Sequence, residues 1–194
     1  MKTKIESIIQ ASIDVKHQLL AEPFILNTIE HITDDLIDCL QNGGKVLFCG
    51  NGGSAADAQH IAAELSGRFY VDRPPLYAEA LHVNSSYMTA VANDYSYDVV
   101  YSRMLEGCGR KGDVLVGIST SGNSKNVVKA LEVANAKGMI TIGMTGAGGG
   151  KMKDLCKHLL NVPSTDTPRI QESHILLGHI ICQLVEERMF GTAS

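Results

Sequence analysis

Apolar residues recur at helical spacing through Ile5, Ile8, Ile9, Val15 and Leu19, with Ser12 on the same face. A second series runs through Ile25, Ile29, Ile32, Leu36, Ile37 and Leu40. Each series predicts an amphipathic α-helix. Pro23 stands near the start of the second, where its missing N–H costs nothing, and Asn42-Gly43-Gly44 ends it. The pattern then changes. Residues 45–49 form a short apolar run of strand length, followed by the turn Gly50-Asn51-Gly52-Gly53-Ser54 and a helix to about Leu65. Further strands are predicted over 78–83, 113–118, 139–144 and 159–162. Residues 85–107 predict two helical pieces around Asn93-Asp94, and helices are expected over 124–137 and 169–189.

Helices alternating with buried apolar strands predict an α/β fold, a three-layer sandwich with a five-stranded parallel sheet flanked by helices. The 194 residues suit one domain, spanning 1–194. The helical pair at about 1–42 is expected to pack on the sheet and on other subunits. The first helix is not needed to cover five strands, so its apolar stripe is assigned to oligomerisation. Ligands of such sheets bind beyond the carboxyl ends of the strands. Both glycine- or serine-rich loops fall at that edge and can share one crevice.

Composition narrows the classes. A net charge of −4 argues against broad nucleic-acid binding, which usually shows a basic face. No run approaches the roughly 18 apolar residues of a membrane helix. Met1 to Glu6 turns amphipathic at once and lacks the apolar core of a signal peptide. Cys39, Cys49, Cys108, Cys156 and Cys182 are odd in number and widely spread, which reads as reduced thiols and a cytoplasmic location.

The candidate chemistry begins at Ser119-Thr120-Ser121-Gly122-Asn123-Ser124, directly behind the apolar run Val114–Ile118. Such a strand–loop–helix joint aims N–H groups, hydroxyls and a helix N-terminus at one anion. The lysine-bearing nucleotide motif G-x-x-x-x-G-K-[ST] is missing, so a phosphate ester on a small metabolite is expected. Gly50 to Ser54 likewise lacks G-x-G-x-x-G spacing. His60 and Glu64 stand i, i+4 on one helix face, which suits a metal pair, an imidazole beside a general base, or an ordinary surface pair. Gln171 and His179 are eight positions apart, about 12 Å of rise and about 80° of rotation on one helix. One straight helix does not bring both to one small ion; different subunits or an irregular helix start would. His174 reads as a core or interface histidine. Asn93-Asp94 reads as a turn, or as an amide and carboxylate over sugar hydroxyls. Lys125 and Arg68 are possible phosphate partners, and Asp57 with Arg103 a possible ion pair.

These segments together resemble the sugar isomerase (SIS) fold and, within it, the phosphoheptose isomerases. The resemblance covers nearly the whole chain: G-N-G-G-S-A-A-D-A-Q-H-I-A-A-E-L at 50–65, A-N-D at 92–94, G-D-V-L-V-G-I-S-T-S-G-N-S at 112–124 and R-I-Q-E-S-H at 169–174. The S-T-S-G-N-S loop marks many SIS proteins; its combination with H-x-x-x-E and R-I-Q-E…H is far more specific. The resemblance implies an aldose–ketose isomerase that converts sedoheptulose 7-phosphate to D-glycero-D-manno-heptose 7-phosphate through an enediol. That reaction opens bacterial heptose biosynthesis for surface polysaccharide such as lipopolysaccharide. Ser119, Thr120, Ser121 and Ser124 would hold the phosphate. Asn51, Gly52, Gly53, Asn93 and Asp94 would contact the sugar, with Glu64 and Gln171 also at the substrate. His60, Glu64, Gln171 and His179 match zinc-associated positions, one Zn2+ per subunit, and Glu64 with His179 the proton-transfer pair. A homotetramer with interfacial active sites is implied, with no nucleic-acid or membrane partner. Pro168 departs from family members that carry an acidic residue before the arginine. The alternatives are a non-catalytic SIS relative that binds the replication initiator, and a sugar-phosphate-sensing module. The compared initiator-binding example lacks the carboxylate and terminal histidine. Sensing modules usually carry attached domains for which 194 residues leave no room.

Overall fold

A computed structural model describes residues 1–191; the last three positions of the expected 1–194 domain lie outside the described residues. The elements run α1 Lys2–Ala21, α2 Pro23–Gln41, β1 Val46–Gly50, α3 Gly53–Ser66, β2 Ala78–Ala80, α4 Ser85–Asp94, α5 Val100–Cys108, β3 Val114–Ile118, α6 Lys125–Ala136, β4 Ile140–Thr145, β5 His158–Asn161 and α7 Thr167–Phe190. Single 3-10 turns precede α5 at Tyr97–Val99 and β5 at Gly150–Met152.

All five strands are parallel, in the order β2-β1-β3-β4-β5. The chain leaves β1 toward one edge and returns on its other side as β3. Their carboxyl ends therefore form a topological switch point, where such sheets open a crevice. Val46 pairs with both Ala78 and Val114, so the central strands are buried on both faces. Alternation then sorts the side chains. Val46, Phe48, Val116 and Ile118 meet α2, α3 and α7, while Leu47, Cys49 and Leu115 meet α4, α5 and α6.

α1 lies outside these layers. Val15 and Leu19 are buried, but Ile5, Ile8, Ile9 and Ile13 are exposed. Polar contacts tie it to α7: the Ser12 hydroxyl donates to Glu172 Oε2 at 2.7 Å, and Arg169 donates to the Ile8 carbonyl.

Strand β2 is shorter than the expected 78–83. Leu81 N–H still reaches the Phe48 carbonyl at 2.9 Å, but Asn84 then caps α4 by accepting from Tyr87 N–H. The cap turns the chain off the sheet. Asn93-Asp94 ends α4 rather than interrupting it; the break falls at Tyr95-Ser96, where the Ser96 hydroxyl accepts from Asp98 N–H. All five cysteines are free, and Cys39, Cys49 and Cys182 are buried. Burial pushes the thiol of Cys39 up to about 11 and those of Cys156 and Cys182 up to about 12. Among the described residues, no helix is long and apolar enough to cross a membrane.

Candidate active site

The loop after β3 gathers three hydroxyls at the sheet's carboxyl edge. Ser119 Oγ lies 2.9 Å from Ser124 Oγ and 3.5 Å from Ser121 Oγ. Ser124 is the N-cap of α6, yet its side chain caps no amide. The hydroxyls thus cluster at the start of α6, and a helix N-terminus beside hydroxyls is an anion-binding arrangement. Gly122 holds the turn at φ +66°, and a Cβ there would lie 2.1 Å from the Gly149 carbonyl. A second turn is therefore stacked directly on the loop, joined by Gly146 N–H to the Thr120 carbonyl at 3.0 Å and Met152 N–H to the Gly122 carbonyl at 3.1 Å. A cavity of about 270 Å³ opens beside Thr120, Ser121, Gly146 and Thr167.

The loop after β1 is laced to this one. Asn51 Nδ2 donates to Asn126 Oδ1 at 2.9 Å, and Asn126 Nδ2 donates back to Asn51 Oδ1 at 2.8 Å. The Tyr97 hydroxyl adds a donor to Asn51 Oδ1 at 3.1 Å. Sequence reasoning passed over Asn126 and Tyr97. For Asn126 the available signal was an amide in the first turn of a helix, immediately behind the hydroxyl loop.

The third component lies between α3 and α7, which run side by side in the same direction. Gly53 meets Gln171 at their starts, and further along Ile61 meets Gly178 and then Cys182. A Cβ on Gly178 would lie 2.4 Å from Ile61 Cδ1, so the bare glycine lets the helices close. Their neighbours meet as a result. His60 Nε2 lies 3.0 Å from Glu64 Oε1, and the His60 and His179 rings stand edge to face with centroids 5.0 Å apart. One ligand atom from each of His60, Glu64 and His179 lies within 4.8 Å of the others. His179 Nε2 is buried without a hydrogen-bond partner. Leaving such a group bare costs about 1–3 kcal/mol, so the atom is placed for a partner that the chain itself does not supply. Two imidazoles and a carboxylate fit a divalent cation of the zinc type.

Comparison with known proteins follows the same lines. The SIS domain family model matches residues 12–146. A phosphoheptose isomerase of Aneurinibacillus thermoaerophilus is 55% identical over 190 residues, covering 98% of this chain and 96% of that protein. The chain belongs to the phosphoheptose isomerase family. Phosphoheptose isomerase 2 of Campylobacter jejuni is 53% identical over 180 residues, covering 93% and 90%. Among solved structures, a phosphoheptose isomerase from Neisseria gonorrhoeae is similar with a TM-score of 0.89 at 44% identity, covering 96% of this chain and 98% of that one. One from Francisella tularensis gives 0.90 at 36% identity, covering 95% and 97%.

Within this phosphoheptose isomerase fold, the remaining candidates are placed as follows. α7 is continuous from Thr167 to Phe190, and Gln171 lies against Gly53, two turns before His179. One chain thus brings His60, Glu64 and His179 together, while Gln171 stands two turns back along α7. Asn93 and Asp94 are exposed and bond to each other at 2.9 Å. Arg68 and Lys125 are exposed, and Lys125 pairs with Asp98 at 3.7 Å. Asp57 and Arg103 do not pair: Asp57 Oδ2 is buried without a partner, while Arg103 donates to the Tyr95 hydroxyl at 3.0 Å. His174 is wholly buried as a core histidine. Its Nε2 lies 3.1 Å from the Thr145 carbonyl, and burial pushes its pKa down to about 4. Arg169 and Glu172 of the R-I-Q-E segment pair with each other, Arg169 Nε donating to Glu172 Oε2 at 2.8 Å. Pro168 sits in the first turn of α7, where proline is tolerated without loss.

Proposed function

We propose that this chain interconverts sedoheptulose 7-phosphate and D-glycero-D-manno-heptose 7-phosphate through an enediol, the opening step of bacterial heptose biosynthesis. The observation that carries the reading is the meeting of Glu64 and His179 in the α3–α7 seam, in a domain that also presents the hydroxyl loop at its sheet edge. Family relatives about half identical over nearly the whole chain favour this reaction over initiator binding or sugar-phosphate sensing.

Ser119, Thr120, Ser121 and Ser124 bind the phosphate and anchor the far end of the sugar, while Asn51, Gly52, Gly53, Asn93 and Asp94 orient its hydroxyls. Glu64, whose Oε1 is steadied by His60, accepts the proton from C1. His179 is the second acid/base group as the enediol collapses; its Nε2, which no group of the chain occupies, is open to a proton when no ion is held there. A positioned acid–base group contributes about 10²–10⁴-fold in rate. His60, Glu64, Gln171 and His179 would hold a zinc ion, which supplies Lewis-acid polarisation of the sugar carbonyl. The open apolar stripe of Ile5, Ile8, Ile9 and Ile13 supports a homotetramer with interfacial sites. In such an assembly Gln171 and His179 of different subunits can serve one site. The spread of free thiols supports a cytoplasmic location.

The test is proton NMR of purified, zinc-supplied protein mixed with sedoheptulose 7-phosphate, with and without a chelator. Formation of the heptose 7-phosphate, slowed by the chelator, is expected. Zinc-supplied protein that forms none overturns the reading, and full activity at a monomeric mass overturns the interfacial arrangement.

A further inference from the structure

Arg73 and Glu186 form an ion pair whose two side chains are each only 2% exposed, with Nε to Oε2 at 3.0 Å. Glu186 also accepts three consecutive backbone N–H groups, from Phe69, Tyr70 and Val71, at 2.6–2.9 Å. Burial alone would push its carboxyl up, but the Val71, Phe69 and Tyr70 amides and Arg73 outweigh it and hold it low. Arg73 for its part donates to the carbonyls of Leu65, Gly67, Pro74 and Glu64. The pair therefore gathers the whole turn that follows α3 and fastens it to α7.

Stability alone does not account for the arrangement. A buried ion pair can often be replaced by well-packed apolar residues with no loss of stability. Apolar residues cannot supply so many directed hydrogen bonds, and the atoms those bonds fix are informative. Arg73 Nη2 donates to the carbonyl of Glu64 itself, at 2.9 Å. Phe69, fixed through its amide, sets its ring 5.7 Å from the His179 ring. Glu186 lies seven positions beyond His179, two turns along the same face of α7. A closed circuit results, running from Glu64 through Arg73 and Glu186 along α7 to His179 and across the seam to Glu64.

We propose that the Arg73–Glu186 pair is a positioning device for the proton-transfer pair, holding Glu64 and His179 in register across the α3–α7 seam. The proposal rests on the isomerase reading above. A misplacement of about 1 Å can cost about 10²-fold in rate, so a clamp of this kind shows in kcat before it shows in binding.

E186Q tests it, because the amide keeps the size and one acceptor oxygen but removes the charge. Provided that circular dichroism shows it folded at the assay temperature, kcat is expected to fall about tenfold or more, while KM and inhibition by inorganic phosphate stay within about twofold. The ring resonance of His179, assigned by its loss in H179Q, is expected to shift as Phe69 moves, and that of the exposed His17 is not. A folded E186Q with wild-type kcat overturns the clamp. So does a kcat loss matched by an equal loss of phosphate affinity, which marks general collapse. Should E186Q fail to fold, R73K is read in the same way, since a lysine cannot serve Glu186 and four carbonyls together. Wild-type protein without turnover overturns the isomerase reading instead, and the His179 resonance then tests the clamp independently.

Discussion

Between Ser119 and Ser124, six consecutive residues provide what an anion needs: hydroxyls 2.9 Å apart, a left-handed glycine and a helix start. The α3–α7 seam is assembled differently. His60 and Glu64 come from one helix and His179 from another near the far end of the chain, and they meet only because Gly178 admits Ile61. A site made of neighbours in sequence survives wherever its strand and helix form. A site made of distant residues depends on how two helices are seated, so remote changes reach it. Binding and chemistry should therefore be separable by mutation.

Glu64→Gln is the sharpest attempt to separate them. It should lower kcat about 10³-fold or more, within the range of acid–base catalysis, while inhibition by inorganic phosphate and the melting temperature stay nearly unchanged. A variant that keeps most of its kcat removes Glu64 from the base role. His174 probes the join between the two regions, since it ties α7 to the end of β4. Its folded pKa of about 4 lies below the ordinary 6.5, so the unfolded chain takes up a proton that the folded chain refuses. Stability is thus full above pH 6.5 and is lost as pH falls toward 4, by about 3 kcal/mol. Urea titrations across that range should show the slope, and His174→Asn should flatten it. Gly178→Val acts on the seam directly. Overpacking against Ile61 should cost about 2 kcal/mol by thermal melting and lower kcat, with phosphate affinity retained. The smallest effect is expected on the other side of the comparison. Ser124→Ala removes one hydroxyl among several donors and should raise KM about tenfold, the scale of one hydrogen bond to a charged group, with little change in kcat. If Ser124→Ala instead lowers kcat and spares KM, the division of labour is wrong.

The same contrast explains what could be read from the chain. Strand runs and helical stripes are local, and the frame they predicted is the frame found, down to Pro23 opening α2 and Asn42 closing it. The hydroxyl loop is local too. β2 was overextended because the apolar character of 78–83 continues past the point where the Asn84 cap turns the chain away. His60 and Glu64 could be paired by spacing, yet spacing says nothing about a ring arriving from α7. Gly178 looked like any glycine in a helix; its meaning is Ile61. Arg73, Asn126 and Glu186 drew no attention because a buried polar residue is defined by its partners, and theirs lie far off in sequence.

The free cysteines turn this contrast into something that can be timed. The thiolate is the form that alkylates, and burial disfavours it at every one of the five sites. At the buried Cys39, Cys49 and Cys182 a reagent in solution therefore labels molecules chiefly as they open. Cys182 lies in the α3–α7 seam, its Sγ 3.9 Å from the Ile61 carbonyl, and Cys49 is buried with the α4, α5 and α6 face on the opposite side of the sheet. The two thiols are clocks mounted on opposite walls of one domain. Equal labelling rates mean that the walls fall together, and unequal rates say which one breathes first.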